Sequence, residues 1–148
     1  MKPTPPGWPR ISSSLYYEDA RAAIDWLCKA FGFEVKILVD GEGGRVEHSE
    51  LTLGGGLIMV AGADKVDKYD YIRSPSQAGG NTQNMMIYVD DADAHCERAR
   101  AAGATITREL ETVDYGEDYW SDRGYACVDP GGHHWFFFQR LRNPPDTA

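Results

Sequence analysis

The chain is written twice, and that repeat constrains its fold more than any other feature. Residues 15–35, LYYEDARAAIDWLCKAFGFEV, lie over residues 87–106, IYVDDADAHCERARAAGATI, at a displacement of 72. Tyr16 falls on Tyr88, Asp19 on Asp91, Ala20 on Ala92, Ala22 on Ala94 and Ala30 on Ala102, and Gly32 meets Gly103 after a one-residue deletion. Self-similarity over so long a stretch means one supersecondary unit used twice.

Each copy reads as a strand followed by a helix. Asp19 and Asp91 sit where a strand stops, and each carboxylate can accept from the first free N–H groups of a helix. Behind them Ala20, Ile24, Leu27 and Phe31 recur at helical spacing, as do Ala92, Cys96, Ala99 and Gly103, so each helix has one apolar stripe. Gly32 and Gly103 supply the permissive backbone that ends a helix. Three strand-like runs follow each helix, at 33–40, 45–53 and 57–62 in the first copy and at 104–113, 125–129 and 133–140 in the second. Glycine-rich GEGG, GGG and PGG separate several of them, as hairpin turns do. The expected organisation is module one over 10–62, a polar linker or flap over 63–82, and module two over 83–140, in a single domain of 148 residues.

Charge narrows the partners. A formal net charge of −8 and a pI near 4.9 argue against nucleic acid and anionic membranes, which attract basic surfaces. Cationic or neutral small molecules are left as ligands. No apolar run approaches the ~20 residues of a membrane span, and MKPTPPGWPR has no signal-peptide core, so the expected location is the cytoplasm. Cys28, Cys96 and Cys127 are odd in number and far apart, which suggests buried thiols rather than disulfides or a zinc knuckle.

The duplicated module, the stretch VDDADAHCERARAAGA and the closing VDPGGHHWFFF resemble the glyoxalase, bleomycin resistance protein and dioxygenase group, the vicinal oxygen chelate superfamily, over residues 10–140. The stretch YGEDYWSDRGYACVDPGGHHW is similar to its PhnB-like or glyoxalase-like members. The resemblance implies an α+β fold in which two tandem βαβββ modules form a curled mixed sheet around a concave cleft, in chains that commonly pair as homodimers. It also implies, for the enzymes of the group, a divalent metal held by one residue from the first and one from the last strand of each module. Those positions fall on Ser12, Val60, Asn84 and Phe136, a set that lacks the imidazoles and carboxylates such metals need. No cofactor is therefore expected. Glu50, in ELT, resembles a family metal ligand but lies one strand too early in the repeat.

A strand's two-residue period selects the cleft lining: Ser12, Ser14 and Tyr16, then Ile58 and Val60, then Asn84, Met86 and Tyr88, then His134, Phe136 and Phe138. Such a mix of aromatic surface and hydrogen-bonding heads suits a small organic ligand, although the same rings could be plain core. The loop DYGEDYWSDRGY adds Trp120 and Tyr125 among carboxylates, a combination that attracts a flat cation. The primary expectation is a metal-free protein that binds, and shields, a cationic aromatic compound or antibiotic. The alternative is a glyoxalase-like enzyme, a lyase, isomerase or dioxygenase. It would use His134 as general acid or base, or a displaced metal site drawing on His134, His48 and Glu50. Against that stands the simpler reading of these three as hydrogen-bonded strand residues.

Overall fold

The computed structural model describes residues 1–64 and 69–146. The chain divides into two compact units, Met1–Gly80 and Asn81–Ala148. The first holds β1 (Ser13–Tyr17), α1 (Ala20–Phe31), β2 (Glu34–Asp40), β3 (Val46–Leu53), β4 (Gly56–Gly62) and a one-turn helix α2 (Pro75–Ala78). The second holds β5 (Met85–Tyr88), α3 (Ala92–Ala101), β6 (Thr105–Asp114), β7 (Ser121–Val128) and β8 (His134–Arg142). Each is an open four-stranded sheet, ordered β1-β4-β3-β2 and β5-β8-β7-β6. The first strand of each unit pairs in parallel with the last, and the remaining pairs are antiparallel. These are two tandem βαβββ modules, an α+β fold.

The repeat sets the elements locally. Asp19 Oδ1 accepts from the Ala22 N–H at 3.0 Å and Asp91 Oδ1 from the Ala94 N–H at 3.0 Å, so the paired aspartates cap their helices. Gly32 takes a left-handed φ of 85° beyond α1, and its N–H returns to the Cys28 carbonyl. Each helix then lays its stripe on one face of its own sheet. In the first unit Ile24, Leu27 and Phe31 cover Leu15, Leu51, Ile58 and Val60, all at most 4% exposed. In the second, the small stripe of Ala92, Cys96 and Ala99 admits large partners on the sheet, Tyr125, Trp135 and Phe137, with Cys127 buried among them.

Residues 63–82 read as a linker, with 65–68 lying outside the described residues. The described part up to Gly80 belongs to the first unit. Ala63, Ile72 and Ser74 are buried, and the Ser76 hydroxyl donates to Glu18 at 2.7 Å. Ser74 caps α2 through the Gln77 N–H, with the Gln77 side chain reaching back to the Ser74 N–H. Ser121 to Gly124, expected as loop, are strand: Asp122 pairs with Arg140 of β8 and Arg123 with Asp93 of α3, where local hydrophobicity gives no warning.

Candidate functional site

The opening of β8 explains how one short stretch serves two faces. Asp129, buried, accepts from the His133 N–H at 2.9 Å and from the Trp135 indole at 3.0 Å, which pins the turn before the strand. From there the side chains alternate. Trp135 and Phe137 are 1% and 0% exposed beneath α3, whereas His134 is exposed and Phe136 and Phe138 are half-buried on the helix-free face.

Across that face Phe136 stands beside Met86 and Ala126, and Phe138 beside Tyr88 and Gly124. Gly124 makes the room. A Cβ there would lie 2.7 Å from the Phe137 carbonyl oxygen and 2.8 Å from Phe138 Cε1, so only glycine lets the Phe138 ring lie down over β7. The Arg108 guanidinium covers both rings, 5.7 Å from the centroid of Phe136 and 5.6 Å from that of Phe138. At the far end Arg140 stacks on Tyr88 and Trp120, at 5.1 and 5.4 Å, and donates to the buried carboxylate of Asp122 at 2.6 Å and to the Tyr88 hydroxyl. The Asp122 hydrogen bond raises the Arg140 pKa above the ordinary guanidinium value.

The loop before β7 packs on itself. Tyr115 and Tyr119 meet Trp120 at 5.2 and 6.3 Å, and the Tyr115 N–H bonds the Trp120 carbonyl. Asp114 accepts from Arg142 at 2.7 and 2.8 Å and from the Gly116 N–H, which together hold its carboxyl down at about 2. Two of the carboxylates expected to draw a cation are thus engaged by arginines.

Of the anticipated cleft residues, Met86, Tyr88, His134, Phe136 and Phe138 come together on this face, with Trp120 at its edge and Asn84, exposed, just ahead of β5. Tyr125 does not join them. Its Cα partner is Phe137, so it shares the helix-covered side, is 0% exposed, and sits with its hydroxyl 2.6 Å from Nδ1 of His95 on α3. Burial pushes its phenol pKa well above the ordinary value. Arg108, Gly124 and Arg140 complete the face, and none of the three stands out in the sequence. Carrying the period of β8 two residues past Phe138 would have found Arg140.

In the first unit the helix-free face carries Ser14, exposed, and Tyr16, half-buried, and the Ser14 hydroxyl lies 4.0 Å from Met59 Sδ. Ser12, ahead of β1, has a buried hydroxyl with no hydrogen-bond partner among the described residues. Ile58 and Val60 belong to the opposite face: Val60 is 0% exposed and pairs with Leu15, and both its N–H and its carbonyl engage the Ser49 hydroxyl. The residue equivalent to Phe136 is Met59, because Ser14 pairs with Met59 as Met86 pairs with Phe136. The turns differ in length, two residues between Leu53 and Gly56 but five between Val128 and His134, so matching the two turns by their glycines puts the strands one residue out of register, and a one-residue slip reverses the face.

The family's metal positions become Ser12, Met59, Asn84 and Phe136. A hydroxyl, a thioether, an amide and a phenyl ring do not fit a hard or borderline divalent ion. Among the described residues no three His, Cys, Asp or Glu side chains gather to hold a metal, and His48 Nε2 is already 3.0 Å from Glu50 Oε1. Among the same residues no helix is long and apolar enough to cross a membrane.

Residues 10–137 match the sequence profile described as Glyoxalase/Bleomycin resistance protein/Dioxygenase superfamily. The chain is 35% identical over 136 residues to protein Mb0911c of Mycobacterium bovis, covering 90% of this chain and 85% of that one. Rv0887c of Mycobacterium tuberculosis is equally similar, with 76% of its length covered. Among solved structures, TioX from Micromonospora sp. ML1 is 31% identical at a TM-score of 0.69, over 90% of this chain and 99% of that one. A glyoxalase/bleomycin resistance protein/dioxygenase family enzyme from Burkholderia phytofirmans PsJN shares the fold at 18% identity and a TM-score of 0.66, over 88% and 97% of the two chains. The repeat, the two βαβββ sheets and these likenesses agree, and the chain is a member of the glyoxalase/bleomycin resistance protein/dioxygenase superfamily.

Proposed function

We propose that this protein binds a flat small organic molecule on the helix-free face of β5 and β8, without the divalent metal of the family's enzymes. One observation carries the reading: Phe136 and Phe138 lie half-buried on a face that no helix of their own unit covers, bedded on Gly124 and Met86 and flanked by two arginines. Aromatic surface with a few oriented polar groups is the usual make-up of a small-molecule site. The charge preference inferred from the acidic loop is revised. Asp114 and Asp122 are matched by Arg142 and Arg140, and the cation that lies over the rings is Arg108, so the face suits a neutral or anionic aromatic better than a cation. Shielding an antibiotic or another small molecule, as a cytoplasmic homodimer, is the role we assign to such a face.

The test is titration with 2-naphthoate, 2-naphthol and proflavine as anionic, neutral and cationic flat probes, read by chemical-shift changes. Naphthoate and naphthol should perturb Phe136, Phe138 and Met86. Binding of proflavine alone would restore the cation reading, and no perturbation by any probe would remove this face as the site. Sedimentation of the same sample measures the pairing.

A further inference from the structure

The helix-free face of the first sheet holds a second arrangement with chemistry of its own. His48 and Glu50, two residues apart on β3, point to one side, and His48 Nε2 lies 3.0 Å from Glu50 Oε1. The Glu50 side chain is only 6% exposed, while that of His48 is 44% exposed. Glu50 Oε2 is buried without a hydrogen bond among the described residues, with Lys36 Nζ 3.9 Å away as its counter-charge. Lys36 is itself tied down by the N-terminal arm, donating to the Gly7 carbonyl at 2.9 Å and lying 5.7 Å from the Trp8 ring. His48 then lines a hollow of about 140 Å³ together with Ser14, Tyr16, Met59 and Tyr69.

We propose that His48, oriented by Glu50, is a general base serving this hollow. An ionised carboxylate can only accept, so Glu50 fixes the imidazole proton on Nε2 and leaves the Nδ1 lone pair free, and no hydrogen bond to Nδ1 is present among the described residues. A buried acceptor behind a half-exposed imidazole is the arrangement that holds the ring in one tautomer and stabilises the imidazolium when it forms. The substrate class is a small molecule that can give up a proton to an imidazole and is of a size to enter a hollow of about 140 Å³. Glu50 is a positioning residue. The inference does not rest on the aromatic face of the second sheet.

The experiment uses 5-nitrobenzisoxazole, a neutral flat base probe. His48 takes the C3 proton, that C–H electron pair becomes the third bond of the nitrile, and the N–O bond breaks to release 2-cyano-4-nitrophenolate. The imidazolium then returns its proton to water. The full-length protein should exceed His48→Ala and His48→Gln by roughly a hundredfold in kcat/KM. Glu50→Gln, nearly isosteric, should lower kcat while leaving KM unchanged, a split that a merely structural role would not produce. Long-range proton–nitrogen NMR of the unmodified protein should find the His48 proton on Nε2. Equal rates in the wild type and both His48 variants, or a proton on Nδ1, would overturn the proposal.

Discussion

The phenol oxygen of Tyr125 lies 2.6 Å from Nδ1 of His95, joining β7 to α3 on the side of the second sheet away from Phe136. That bond makes Tyr125 part of the core rather than the binding face. Tyr125→Phe should cost about 1 kcal/mol of stability, the net worth of one hydrogen bond, and leave affinity for 2-naphthoate unchanged. Phe136→Ala and Trp120→Ala should instead weaken that affinity by about 1 to 4 kcal/mol. Urea unfolding and probe titration of the three variants separate the two roles, and equal affinity losses would mean the face is wrongly drawn.

Gly124 is where backbone and binding face meet. Its added methyl group would press on Phe138 Cε1 and the Phe137 carbonyl, and the carbonyl belongs to the sheet and has little freedom to yield. Gly124→Ala should destabilise the protein by about 1 to 3 kcal/mol, as overpacking does, and tilt Phe138 off β7. A wild-type Tm together with wild-type probe binding would refute this account of the ring's seat.

Asp114 gives the loop an acid limit. Its carboxyl is lowered from 3.8 to about 2, first by the Arg142 hydrogen bonds and then by the Gly116 N–H. A depressed carboxylate contributes stability that is full above its unfolded value and is lost as pH falls through the folded one. The contribution should therefore fade between about pH 4 and pH 2. Both partners are exposed, so the effect is modest and falls with added salt. Asp114→Asn should flatten the pH dependence of Tm over that window, and an unchanged slope would contradict it.

Metal addition tests the donor set. An ion bound only by the folded state raises stability by about 2.7 kcal/mol at a hundredfold excess over its Kd. Zn²⁺, Ni²⁺, Mn²⁺ and Fe²⁺ should leave Tm where dialysis against chelator sets it. A shift abolished by His134→Ala or His48→Ala would establish a displaced centre instead.

Much of the fold was legible because its signals are local. Asp19 and Asp91 announce their helices within four residues, Ile24, Leu27 and Phe31 declare a face within two turns, and a two-residue period sorts Trp135 and Phe137 from Phe136 and Phe138. What local signals do not encode is the side of a residue that depends on a neighbouring strand. Val60 was misplaced because three consecutive glycines do not reveal how many of them form the turn. Tyr125 was misplaced because a tyrosine beside an acidic loop looks solvent-facing until its pairing with Phe137 is known.

The sequence by itself determined the duplicated βαβββ modules, their capped helices and the aromatic face of β8, since repeats, caps and periodicity act over a few residues. Tertiary structure alone decided which charges are spent on each other. Asp122 meets Arg140 across 18 residues, Asp114 meets Arg142 across 28, and Arg123 meets Asp93 across 30. No local period encodes such pairings. They follow from strand register and helix packing, and in a loop that reads as bait for a cation they answer two of the four carboxylates, Asp114 and Asp122, from within.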